Sequence, residues 1–139
     1  MVLSHEDSDH AHSYWYAQII GIFHAHVSAL KRMSFLWVRW YSIDLQHNWG
    51  WKHKWLPHVG FLDADKPGAF RFLDPDQVMR AVHLIPGFAH GITDMLLPPS
   101  FVCAPAEQDA DWQYYYTFRF VDCDMYMRFR SKGVGHQSI

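Results

Sequence analysis

A chain of 139 residues is one domain's worth, and a composition 50% hydrophobic and 19% charged belongs to a folded globular protein, not to a tail or linker. The formal net charge of −2 excludes a strongly basic nucleic-acid wrapper, although a local basic patch survives that average. Two cysteines, Cys103 and Cys123, make no disulfide framework and fit a reducing compartment, while the 17% aromatic content favours strands and adhesive surfaces.

Residues 1–13 carry Glu6, Asp7 and Asp9 among His5, His10 and His12 without an apolar run, so they form no signal peptide. They are expected to be a flexible tail before a single domain over 14–130, with a second flexible tail over 131–139. The apolar-rich stretch 14–30 is broken by Gln18, His24 and His26, too often for a bilayer span, and no membrane contact is expected.

Alternation with period two over 14–27 predicts a strand whose Ala17, Ile19, Gly21, Phe23, Ala25 and Val27 face a core, with Gly21 marking a bulge or a close backbone approach. A helix is the rival reading of that stretch. A polar connection over 29–32 leads into a second strand over 33–41, with Leu36, Val38 and Trp40 on one face, and the two make a hairpin. Residues 42–57 turn polar and aromatic together and read as a long excursion. A third strand is expected over 56–62, then a turn built on Pro67 and Gly68, then a short strand over 70–73. Asp74 can cap a single helical turn that has Pro75 at its first position, before residues 78–85 run extended into Pro86. Residues 86–111 read as a surface loop, 112–121 as the most aromatic strand, and 122–130 as a short helix. The sum is mainly β: a small, partly open β-barrel with a long aromatic loop and a short C-terminal helix, its strands near 16–25, 34–41 and 113–121 the clearest.

Eleven histidines invite a metal hypothesis, but His24, His26, His47, His53 and His58 lack the companion motifs of a zinc site. The paired acids Asp63/Asp65, Asp74/Asp76 and Asp122/Asp124 fit turn and cap roles better than a two-metal site, and no serine or cysteine sits in a nucleophile motif. No catalytic residue, metal site or cofactor is expected. The richer signal is aromatic with basic. Trp37, Trp40, Tyr41, Trp49, Trp51 and Trp55 are candidate ligand-binding residues, and Arg39, Lys52, Lys54, Arg128, Arg130 and Lys132 candidate nucleic-acid contacts. A methyl-lysine cage would need two to four of those rings to converge on one open pocket. Packing of the tryptophans into the core is the competing reading.

Six phrases, YWYAQIIGIFHA at 14–25, RMSFLWVRW at 32–40, FRFLDPDQV at 70–78, HLIP at 83–86, FVDCDMYMRF at 120–129 and GVGH at 133–136, together resemble the C-terminal region of Plavaka-type DNA transposon proteins of mushroom-forming fungi. The likeness runs over nearly everything from Tyr14 onward. It implies an accessory module of a larger transposase whose acidic catalytic core lies outside these residues, and hence a non-enzymatic protein working in the nucleus. The family pattern has Arg where Cys123 stands, a Gly-rich run at Ser131-Lys132 and a basic residue at Gln18; these departures fit a domesticated or decaying copy. Met1 shortly before the matching region fits a short reading frame derived from such an element. The strand phrases are also similar to bromo-adjacent-homology-like barrels, a fold-level analogy that implies chromatin or other protein contacts. The expected partners are therefore protein, chromatin or DNA. The alternative is a packing or self-association fragment, or a relic, with no ligand of its own.

Overall fold

The computed structural model describes residues 1–3, 14–44, 46–47, 56–97, 110–118, 120 and 125–127. Over these residues the chain is mainly β, as its alternating and aromatic patterns require. The strands are β1 (Val2–Leu3), β2 (Tyr14–Trp15), β3 (Ala17–Ser28), β4 (Lys31–Ile43), β5 (His58–Phe61), β6 (Phe70–Leu73), β7 (Leu84–Pro86), β8 (Ile92–Thr93), β9 (Asp111–Trp112) and β10 (Tyr115–Thr117). Short 3-10 turns lie at Pro75–Gln77 and Phe88–His90, and residues 125–127 form a helical turn within the expected C-terminal helix.

The long hairpin β3–β4 organises the rest. It is antiparallel from Ala17↔Trp40 to Ser28↔Lys31, closed by a tight turn at Ala29 and Leu30. On the other edge of β4, β6 pairs first, from Leu36↔Leu73 to Arg39↔Phe70. Further along, β5 takes over from Tyr41↔Phe61 to Ile43↔Val59, so β4 carries the chain from one sheet region into the next. The path β3-β4-β5-β10-β7 ends on strands that do not pair with each other, so among the described residues the sheet does not close, which is compatible with a partly open barrel.

Leu36 and Val38, on the face of β4 predicted to be apolar, are 5% and 0% exposed and pack with Val2 and Leu73, with Trp15, Ala17, Trp40 and Val78 around them. A second cluster gathers Met1, Tyr16, Val59 and Met125, flanked by Tyr41, Ile43, Leu84 and Tyr115. Residues 1–3 are thus part of the fold and not of a flexible tail. Val2–Leu3 pairs with Tyr14–Trp15, and the Met1 carbonyl accepts from the Met79 N–H at 2.9 Å. Burying an apolar side chain of this size stabilises by roughly 1.5–3 kcal/mol, enough to offset an ordering cost of about 1–2 kcal/mol per residue.

The turn chemistry falls where the acids and prolines put it. Asp74 caps the first 3-10 turn through the Asp76 N–H at 3.0 Å, and Asp63 holds its own turn through the Asp65 N–H at 3.1 Å. Gly68 takes φ +83°. Three expectations are corrected. β3 does not present its odd-numbered residues to one core face: Ala17 and Ile19 lie opposite Trp40 and Val38 on the core side of β4, but the register shift between Ile19 and Gly21 turns Gly21 and Phe23 to the Trp37 side, and Ile19, Phe23 and Val27 are 49%, 49% and 60% exposed. Residues 86–111 are more than a loop, because they hold the 3-10 turn Phe88–His90 and strand β8, which pairs with β9 through Ile92↔Trp112 and Thr93↔Asp111. The strand expected over 112–121 is broken at Gln113 and Tyr114, whose backbone turns aside to bond Gly91 and Gly87.

Candidate binding face

Pairing register decides which aromatic side chains meet. Residues directly opposite across antiparallel strands share a face, so Phe23↔Phe35 and Trp37↔Phe72 lie on one side of β3–β4–β6, with Phe70 beside them opposite Arg39. Their rings form a ladder. Phe23 stacks on Phe35 with centroids 5.8 Å apart, Phe35 meets Phe72 edge-on at 5.2 Å, and Trp37 lies 4.6 Å from Phe72 and 6.0 Å from Phe70. Phe23 is 49% and Phe72 67% exposed, so the ladder faces solvent. Gly21 sits opposite Trp37 at a register shift, and a Cβ there would come within 2.6 Å of the Phe23 ring. The expected close approach at Gly21 is therefore that of Phe23 folding over a bare backbone, which covers the gap a glycine leaves in a strand.

Charge along the hairpin has one sign. From 14 to 43 the sequence contains no Asp or Glu, while Lys31 and Arg32 sit at the exposed turn. Arg71, opposite Val38, lies on the face away from the ladder and is exposed.

Arg39 ends the ladder, and its expected role as a nucleic-acid contact is corrected. It is 1% exposed, its guanidinium donates to both Asp111 carboxylate oxygens at 3.1 and 2.9 Å, and its carbon lies 3.8 Å from the Phe61 ring centroid. A side chain so enclosed is an internal fixture joining β4 to β9.

The cage reading is not carried by the aromatic candidates that the structure describes. Trp37 and Trp40 are three residues apart on a regular strand and point to opposite faces: Trp37 joins the ladder, whereas Trp40 packs on the buried side edge-on to Trp15 at 6.1 Å. Tyr41 is wedged between Phe61 at 4.2 Å and Tyr115 at 5.7 Å. Trp49, Trp51, Trp55, Lys52, Lys54, Arg128, Arg130 and Lys132 lie outside the described residues. Beside Trp15 and Trp40 runs a groove of about 600 Å³ that also touches Arg71, Leu73, Asp76 and Met79. The Trp40 indole Nε1 is buried and unpartnered among the described residues.

A third cluster surrounds His58, which is 1% exposed. Its Nδ1 bonds an Asp44 carboxylate oxygen at 3.2 Å, and the rings of Tyr114, His47 and His90 lie 4.1, 4.5 and 5.0 Å away. Burial lowers the His58 pKa below the ordinary imidazole value and the nearby His47 lowers it further, against the Asp44 hydrogen bond. This favours the neutral ring, in which Nδ1–H donates to Asp44 and Nε2 is buried without a partner among the described residues. Among the described residues, no three His, Cys, Asp or Glu side chains are grouped to hold a metal ion, and no helix is long and apolar enough to cross a membrane.

Sequence reasoning selected Trp37 but not Phe23, Phe35, Phe70 and Phe72, which complete its face. Trp15 was likewise missed. The signal for Phe70 and Phe72 is their i, i+2 spacing in a strand already expected, yet only the β4–β6 register shows that this spacing meets Trp37. The fold and this face define an open, mainly β domain with a solvent-facing aromatic sheet. No known protein family, curated protein or solved structure matches the chain.

Proposed function

We propose that this chain is a non-catalytic binding module whose ligand is single-stranded nucleic acid, held on the aromatic face of β3–β4–β6. The carrying observation is the ladder of Phe23, Phe35, Trp37, Phe72 and Phe70 on a sheet, with two rings well exposed, in a hairpin free of acidic residues. Flat rings on a sheet accept unstacked bases regardless of sequence, and Lys31 and Arg32 at the turn can neutralise the phosphates that run past them. A duplex keeps its base faces inside and gains only the second of these terms. Of the expected partners, protein, chromatin and DNA, this face therefore favours nucleic acid.

The likeness to Plavaka-type transposon proteins supports the same reading, since an accessory module of a transposase works beside DNA, and on this reading the protein acts in the nucleus. The test is fluorescence polarisation with a labelled thymidine oligonucleotide and a duplex of equal length. Base–aromatic stacking is worth about 1–3 kcal/mol per base, so Phe72→Ala weakens single-strand binding by about five- to 150-fold. Replacing Lys31 and Arg32 by Glu flattens the salt dependence by about 1.4 in log–log slope, from two contacts at about 0.7 each. Equal affinity of parent and Phe72→Ala, or a preference for duplex, would overturn the proposal.

A further inference from the structure

We infer that the outer edge of β3 is a strand-pairing site whose occupant is a second copy of this chain. β3 spans 12 residues and pairs with β4 along one edge only; its other edge meets no strand among the described residues. Among the described residues the region is open, with Ile22 74%, Phe23 49% and Val27 60% exposed. Unpaired N–H and C=O groups along such a strand are a template for another strand. Natural edges block this with charged side chains, prolines or bulges, and Ala17–Ser28 contains no Asp, Glu, Lys, Arg or Pro. The two register irregularities, at Ile19/Gly21 and His26/Ser28, bracket a regular run from Gly21 to His26 and do not interrupt it.

The occupant follows from charge and symmetry. A strand with no formal charge can lie antiparallel against its own copy without placing like charges opposite each other. A twofold axis perpendicular to the sheet brings two β3 edges together antiparallel and keeps Gly21, Phe23 and Ala25 of both copies on the same face. Phe23 of each copy then stands on one continuous surface, and the two ladders merge across a sheet running β6-β4-β3 into β3-β4-β6. Pairing is through the backbone, so the inference stands independently of the nucleic-acid reading.

Sedimentation velocity of the full chain over about a hundredfold range of concentration tests it, because a self-pairing edge gives a concentration-dependent monomer–dimer equilibrium. Ile22→Lys places a charge on the edge, at an exposed position whose side lies opposite to the ladder, and is expected to weaken dimerisation at least about tenfold with an unchanged circular dichroism spectrum. Met95→Lys, at an 81% exposed apolar residue remote in sequence from β3, should leave the equilibrium as it is. A monomer at every concentration overturns the inference. So does a dimer that tolerates Ile22→Lys, or one that Met95→Lys weakens as much.

Discussion

Asp111→Ala removes the partner of a guanidinium that has nowhere else to go. Arg39 is 1% exposed, the Asp111 side chain 8%, and the Arg39 Nε has no acceptor among the described residues. Two unit charges about 4 Å apart attract by about 4 kcal/mol at an effective dielectric constant of about 20, and breaking a buried pair from one side costs about 3–5 kcal/mol. Against a domain stability of about 5–15 kcal/mol, that is about a fifth or more of what holds the fold. With a urea slope of about 2 kcal/mol per molar, the unfolding midpoint followed by tryptophan fluorescence should fall by about 2 M. Replacing both partners, Arg39→Met with Asp111→Leu, removes the stranded charge and should recover most of the loss. A single variant whose midpoint moves by less than about 0.5 M, or a double variant less stable than the single, would refute the reasoning.

Leu36→Ala should cost about 2–5 kcal/mol in the same assay, whereas Leu30→Ala, fully exposed at the hairpin turn, should stay within about 0.5 kcal/mol of the parent. Gly60→Ala would bring a Cβ within 2.8 Å of the Gln113 backbone carbonyl, so β5 and the 113–114 segment must separate; a loss of about 1–3 kcal/mol is expected, and a neutral result would show that this approach is not close. Folding lowers the His58 pKa, so below the unfolded value of about 6.5 the unfolded chain binds more protons than the native one. The contribution of a neutral His58 is therefore fully present above that pH and is lost as pH falls towards the lowered native value. The Met1 α-amine, lowered from 8.0 by burial, acts with the same sign. Thermal midpoints measured from pH 8 to pH 5 should decline on acidification, and less steeply in His58→Phe; a flat parent profile would contradict the burial of that ring.

Much of the strand pattern was legible because alternation reports one face at a time. Leu36, Val38 and Trp40 had to share a side, and the Asp74-Pro75 and Asp63–Gly68 signals act within a few residues of themselves. What failed to show was everything that depends on a partner strand. Alternation counted straight through Gly21 could not show the register shift there, which sets Phe23 on the opposite face from Ala17 and Ile19, and so the set read as one core face is split and largely exposed. Arg39 read as an available cation because nothing local ties position 39 to position 111; that link exists only through the fold. The ladder was half visible, in Trp37 and in the spacing of Phe70 and Phe72, and became a surface only when β6 paired with β4.

The claim that the β3–β4–β6 face holds unpaired bases is tested most directly by photocrosslinking. The full chain would be bound to a thymidine oligonucleotide carrying 5-iodouracil, irradiated, and its adducts located by mass spectrometry. The account predicts adducts at Phe23, Trp37 or Phe72 that unlabelled oligonucleotide competes away. Adducts confined to residues off this face, at the same yield in Phe72→Ala, would contradict it.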